Sequence, residues 1–146
     1  MKLHQLSLFL ENKPGQLTEP CRLLAREGIN IRTLALADTE RFGILRMIVS
    51  DWQKAAAVLQ EAGYVANATE VVAVEVADRP GGLAEILEVL ENSQVNIEYM
   101  YAFTFGRCDK AVLIFRFDKP DEAIARLQAA GINVVGSVEV YNRIEA

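Results

Sequence analysis

Two short signatures each occur twice in this chain, in the same order and at nearly the same spacing. Asn12-Lys13-Pro14-Gly15-Gln16-Leu17 returns 66 residues later as Asp78-Arg79-Pro80-Gly81-Gly82-Leu83. Ile29-Asn30-Ile31 returns at that same offset as Val95-Asn96-Ile97. The offset then slips to 68, where Leu59 and Ala62-Gly63 match Leu127 and Ala130-Gly131. Recurrence of both signatures together points to a duplicated module, so the fold must be two copies of a unit of roughly 70 residues. The copies are expected at 1–69 and 70–146. Ala68-Thr69-Glu70 leads straight into Val71 with no linker composition, so the copies are expected to be held nearly rigidly.

A unit of that size is marginal by itself unless it gains further burial. With 51% hydrophobic residues, a core is available, and the copies are expected to pack on each other, on a second chain, or both. The formal net charge is −5. Residues 1–72 hold eight basic and eight acidic side chains, and 73–146 hold seven and twelve, so the acidic excess lies in the second copy. An acidic chain without a basic cluster argues against nucleic acid, which needs Lys and Arg on its phosphates, and against an anionic membrane surface. No apolar run is long enough to span a bilayer, and Met1-Lys2-Leu3-His4-Gln5 does not read as a signal peptide. Cys21 and Cys108 are not equivalent positions and form no Cys-x-x-Cys pair, which suggests reduced thiols in a cytoplasmic protein.

Periodicity assigns the elements. Residues 3–10 read as a strand, 12–15 as a Pro-Gly turn, and 16–27 as a helix with Leu17, Cys21 and Leu24 at helical spacing. Pro20 is tolerable there only in the first turn. Strands follow at 30–37 and 43–50. Asp51 can cap a helix running to Ala62 that turns Trp52, Ala55, Ala56 and Leu59 inward. A short strand from Tyr64 to about Ala68 closes the copy. The second copy repeats the string: a strand at 71–76, a helix from Gly81 with the stripe Leu83, Ile86, Leu87, Leu90, strands at 95–105 and 111–117, a helix capped by Asp118, and a strand at 132–141. Strand–helix–strand–strand–helix–strand is the ferredoxin-like unit. The expected class is α+β: two βαββαβ units with antiparallel sheets and helices on one face.

The turn after each first strand is the best place for chemistry. Pro and Gly let the chain turn sharply and let backbone approach a ligand. The helix behind it offers free amides and a positive dipole end, which suits a small carboxylate. Asn30 and Asn96 open the second strand of each copy, and an Asn can both donate and accept. Within one unit these two features fall at opposite ends of the sheet, so they meet only if a neighbouring module closes the gap. Asn also suits a helix terminus, and that plainer role stays open for both.

Asn/Asp-x-Pro-Gly-x-Leu followed about fifteen residues on by Gly-Ile-Asn-Ile or Gln-Val-Asn-Ile resembles the ACT domain. The resemblance covers nearly the whole chain as two copies with no catalytic domain attached. It implies a regulatory module that binds an amino acid or similar metabolite between two modules. Carried over, it implicates Asn12, Pro14, Gly15, Gln16 and Leu17 with Asn30 and Ile31, and Asp78, Pro80, Gly81, Gly82 and Leu83 with Asn96 and Ile97. Leu10 and Val76 stand where the serine-binding type has a His, which argues against serine. Asp78 in place of Asn12 makes the two sites chemically unequal.

Tyr99, Tyr101, Phe103 and Phe105 alternate along one strand, against Thr33, Ala35, Ala37 and Thr39 in the first copy. That stripe reads as packing or interface, with Tyr99 or Tyr101 as a possible pocket wall, on an apolar edge that needs cover. His4 has no Cys or His at metal-ligand spacing and reads as packing. No catalytic set, Walker loop or dinucleotide fingerprint is present. The expectation is therefore a non-enzymatic amino-acid sensor without metal or cofactor, a homodimer acting on a regulated enzyme. The alternative is a protein-interaction scaffold that uses the aromatic edge.

Overall fold

The structure is a computed structural model and describes residues 2–103 and 110–136. Phe105, Cys108, most of the 107–110 turn and the end of the strand expected at 132–141 lie outside those residues. The chain forms two compact units. One is His4–Thr69, and the other comprises residues from Glu70 onward together with Lys2 and Leu3. Each is a ferredoxin-like unit, and the fold is α+β.

The first unit contains β1 (Lys2–Glu11), α1 (Thr18–Arg26), β2 (Ile31–Thr39), β3 (Phe42–Val49), α2 (Trp52–Glu61) and the opening residues of β4 (Val65–Ala77). Its strand order is β2-β3-β1-β4, so β2 is an edge. Antiparallel pairing sets Leu6 opposite Met47 and Leu8 opposite Leu45. These four residues share one face, because side chains alternate along a strand. That face packs on Leu24 of α1 and on Ala55 and Leu59 of α2 to form the core. Pro20 is the third residue of α1 and is buried. At that position its missing N–H costs no intrahelical bond. Asp51 caps α2 by accepting a 3.0 Å hydrogen bond at Oδ1 from the Lys54 amide. The His4 and Trp52 rings stack with centroids 4.3 Å apart, which is the packing role expected of His4.

The second unit contains the remainder of β4, α3 (Gly82–Glu91), β5 (Ile97–Phe103), β6 (Lys110–Phe117), α4 (Pro120–Ala129) and the short β7 (Val134–Val135), in the order β5-β6-β4-β7. Val72, Val74 and Val76 pack with Phe115 and Phe117 against Ile86, Leu90, Ala123 and Leu127.

Four expectations are corrected. The strands expected at 64–68 and 71–76 are one 13-residue strand; Thr69 and Glu70 supply no Gly or Pro to break it. Leu17 precedes α1 and is exposed, so Pro20 and Leu24 form the inner stripe instead. On α3, Leu83 and Leu87 are exposed while Ile86 and Leu90 are buried, with Val89 partly so. Sequence spacing allowed either face, and contact with the sheet chose the Ile86–Val89–Leu90 one. Finally, Asp118 does not cap α4. Lys119 occupies the cap position without a side-chain bond, and Pro120 opens the helix.

Candidate functional site

Each unit builds its candidate turn on a left-handed glycine. Gly15 has φ +85° and Gly81 φ +87°, a region that costs other L-residues roughly 1–2 kcal/mol. Beyond that glycine the copies diverge. The second helix begins at once with Gly82, whose backbone lies against the end of β4, whereas the first begins two positions later, at Thr18. Gln16 stands where the second copy has Gly82, and its side chain could not enter so close an approach. The amide after the turn glycine is occupied in both copies: Gln16 donates to the Lys13 carbonyl at 3.4 Å and Gly82 to the Arg79 carbonyl at 3.0 Å. In the first copy the Thr18 amide also donates to the Gly15 carbonyl at 3.3 Å.

The first turn borders a cleft of about 80 Å³ lined by Asn12, Lys13, Gln16 and Leu17, by Leu10 and Glu11 at the end of β1, and by Leu36, Asp38 and Gly43 of β2 and β3. Asn12 is held in place: its amide donates to the Arg41 carbonyl at 2.9 Å and its Nδ2 to the Glu40 carbonyl at 3.3 Å. Lys13 Nζ pairs with Glu11 Oε2 at 2.8 Å. That hydrogen bond, helped by the carboxylate's charge, raises the Lys13 pKa above its ordinary value. The cleft thus offers an ammonium, two carboxylates and an apolar wall, a set that suits a zwitterion. The second unit holds a cleft of about 230 Å³ lined by Ala77, Glu85, Ile86, Lys110 and Ile132 among others, and of the turn Asp78–Leu83 only Gly82 lines it. There Lys110 is paired with Glu75 at 2.9 Å, and Arg79 with Glu85.

Asn30 and Asn96 lie elsewhere. β3 runs from Phe42, opposite Glu11, to Val49, opposite Ile31. Its eight residues span about 27 Å at ~3.4 Å per residue. Asn30 is therefore at the far end of the sheet from the Asn12 turn, and Asn96 stands likewise to Asp78. Both Asn side chains are exposed. The Asn30 amide donates to Ser50 Oγ at 3.0 Å, and the Asn30 carbonyl accepts from the Ser50 amide at 2.9 Å. In the second unit the Asn96 amide donates to Asp118 Oδ1 at 2.8 Å, and its carbonyl accepts from the Asp118 amide at 3.1 Å.

Ile31 and Ile97 turn into the helix-side cores. The pairing register shifts between Ile97 and Tyr99, and between Ile31 and Thr33. Such an irregularity breaks strict alternation. Tyr99, Tyr101 and Phe103 pair with Arg116, Ile114 and Val112, whereas Ile97 and Met100 pair with the core residues Phe117 and Phe115. The three aromatics therefore share the face away from the helices, and Tyr99 lies on the opposite face from Ile97.

Of the turn grouped from the sequence, Asn12, Lys13, Gln16 and Leu17 line the cleft and Pro14 and Gly15 do not, while Leu36, Asp38 and Gly43, which sequence reasoning did not single out, reach it only through strand pairing. Sequence reasoning also missed the role of Ser50 and Asp118. Their shared offset of 68, the same as that of Leu59 and Leu127, was the available signal. Among the described residues no group of three or more His, Cys, Asp or Glu could hold a metal, and no helix is long and apolar enough to cross a membrane.

Known proteins share this arrangement. The crystal structure of protein BT0572 from Bacteroides thetaiotaomicron is 39% identical, covers 97% of this chain and 96% of that one, and superposes with a TM-score of 0.89. The ligand-free regulatory subunit of aspartate kinase from Thermus thermophilus shares the fold at 18% identity and TM-score 0.62, over 87% of this chain and 91% of that one. The aspartate kinase regulatory subunit from Thermus flavus does so at 16% and 0.61, over the same shares. No functionally curated protein matches the chain. A profile of the ACT domain pair matches residues 1–140, and with both copies of the turn and strand signatures in place, the chain belongs to the ACT domain pair family, a regulatory family.

Proposed function

We propose that this chain is a non-catalytic regulatory protein of two ACT lobes, 1–69 and 70–146, that binds a free amino acid or closely related metabolite. The ligand sits between modules. The turn Asn12–Leu17 or Asp78–Leu83 of one module supplies one wall, and the strand start at Asn30–Ile31 or Asn96–Ile97 of its neighbour supplies the other. Tyr99 stands near that strand start. Ligand binding stabilises the module interface in a cytoplasmic homodimer and thereby biases contact with a regulated enzyme.

One observation carries this reading. The zwitterion-compatible cleft at Asn12–Leu17 opens beside the β2 edge, where Leu34 and Leu36 are 53% and 54% exposed. An apolar edge strand of that kind needs cover. Whatever covers it also closes the cleft, and the unit's own Asn30 is too far away to do so.

A thermal-shift screen of the twenty amino acids tests the proposal. A ligand at 100 times its Kd adds about 2.7 kcal/mol to stability. At least one amino acid should raise Tm at millimolar concentration, and a flat response to all twenty would remove the sensing role. The exposed Leu34, Leu36 and Phe42 also favour a second reading, in which the chain is a scaffold that binds protein alone. It predicts no shift with any amino acid, but a complex lost on replacing Leu34 and Leu36 by Ser.

A further inference from the structure

The edge strand of the first unit is complementary to itself. Arg32, Leu34, Leu36 and Asp38 fall at alternate positions along β2, and Leu34, Leu36 and Asp38 pair with Met47, Leu45 and Gly43 of β3. That pairing is regular from Thr33 to Thr39, and Arg32 stands at the register shift that ends the run. Both leucines are more than half exposed, and Asp38 is exposed. When a second β2 is laid antiparallel to the first about a two-fold axis at Ala35, Arg32 of each copy stands opposite Asp38 of the other, and Leu34 opposite Leu36. Opposite charges and apolar residues facing one another across strands favour pairing. A shift of two residues either way sets Leu34 against Asp38 or Arg32 against Leu36, and a shift of one puts the leucines of the two copies on opposite faces. The duplication does not repeat the pattern. At an offset of 66 the four positions hold Glu98, Met100, Ala102 and Thr104. Glu98 is paired with Arg116 at 3.2 Å, so the β5 edge offers Arg32 no carboxylate that is not already engaged.

We propose that the homodimer forms through the first unit, by antiparallel pairing of two β2 edges about Ala35, with Arg32 and Asp38 fixing the register. The occupant of this edge is a second copy of the chain, and such an interface is isologous and closes at two chains. This inference names the surface of the homodimer proposed above and rests on that part of the reading. The register also bears on the cleft. It brings Asn30 of the second copy level with Glu40, whose carbonyl accepts from Asn12 Nδ2 at 3.3 Å. The Asn that lies too far away within its own unit is thus supplied by the second copy, and to the first-unit cleft alone.

The experiment measures self-association of the intact chain by sedimentation. Asp38→Arg alone and Arg32→Asp alone each set like charges opposite one another twice, so the dimer Kd should rise roughly tenfold in each. An equimolar mixture of the two variants restores both opposite-charge pairs and should associate as the wild type does. Ala35→Cys, with Cys21→Ser and Cys108→Ser to remove the other thiols, should oxidise to a covalent dimer, because residues on the axis face one another about 4.5–5.5 Å apart. Ala37→Cys in the same background should not cross-link, its two copies lying about 14 Å apart. A mixture no tighter than its parents overturns the Arg32–Asp38 contact. Failure to cross-link at Ala35, or cross-linking at Ala37, overturns the register. Either result with a dimeric wild type leaves the homodimer reading standing on another surface. A wild type that stays monomeric at every concentration removes this inference and the homodimer together, and the twenty-amino-acid screen still decides amino-acid binding independently.

Discussion

A methyl group built on Gly82 would sit 2.0 Å from the carbonyl oxygen of Ala77. The first residue of α3 therefore touches the end of β4 through bare backbone, and only glycine permits it. Gly82→Ala should destabilise the protein by about 3 kcal/mol or more, since neither backbone segment can yield cheaply. Gln16→Ala, at the equivalent place in the first copy, should stay within about 0.5 kcal/mol. Urea unfolding of the two variants decides this, and equal midpoints would contradict the close approach.

Gly15 and Gly81 differ from Gly82 in kind. An added Cβ meets nothing within 4 Å at either, but both have positive φ. Replacement by Ala should cost about 1–2 kcal/mol of backbone strain alone. The matched size of the two losses is the check, because packing would affect the two copies unequally. In both variants, affinity for any amino acid found in the screen should fall with the displaced turn.

The two second helices of the copies start differently. Asp51 caps α2, whereas Lys119 gives α4 no side-chain bond. Asp51→Ala should lower stability by about 1 kcal/mol. Lys119→Ala should be neutral within about 0.5 kcal/mol. Chemical denaturation of both variants tests the asymmetry.

Lys2 contacts Glu70 at 3.0 Å and Asp121 at 3.1 Å. Hydrogen bonds to these two carboxylates raise its pKa above the ordinary 10.5. A raised cation contributes stability that is complete below the unfolded value and is lost as pH climbs through the folded one. The Tm difference between wild type and Lys2→Met should hold steady from neutral pH to about 9.5 and shrink above about 10.5. Added salt should shrink it as well, because the group lies at the surface. A difference that grows at high pH would contradict the assignment.

Leu34 and Leu36 face the helix side of β2 yet remain exposed. Leu34→Ser with Leu36→Ser should change unfolding of the isolated chain by less than about 1 kcal/mol, while weakening self-association in sedimentation. An assembly state indifferent to the pair would place the dimer contact elsewhere.

The Pro-Gly turns and the Asp51 cap were legible in the sequence. Each depends on the conformation of a few consecutive residues. The cleft was only half legible: Asn12, Gln16 and Leu17 lie in one turn, but Leu36, Asp38 and Gly43 arrive from β2 and β3. Asp118 was misread because a carboxylate ahead of a helix and a carboxylate beside a strand start look alike in one dimension. The face of α3 failed for a related reason, since Leu83 and Leu87 satisfy the helical period as well as Ile86 and Leu90 do.

By itself, the duplicated sequence determined two ferredoxin-like units, the turns within them and their family. Those properties follow from local dihedral preferences and from hydrophobic period, both of which are written along the chain. Only tertiary structure decided that Gly82 presses on Ala77, that the register shift at Glu98 sets Tyr99 on the opposite face from Ile97, and that Ser50 and Asp118 hold the two strand-starting Asn residues. Each of these depends on which strand pairs with which and in what register, and that is set by burial summed over a whole unit.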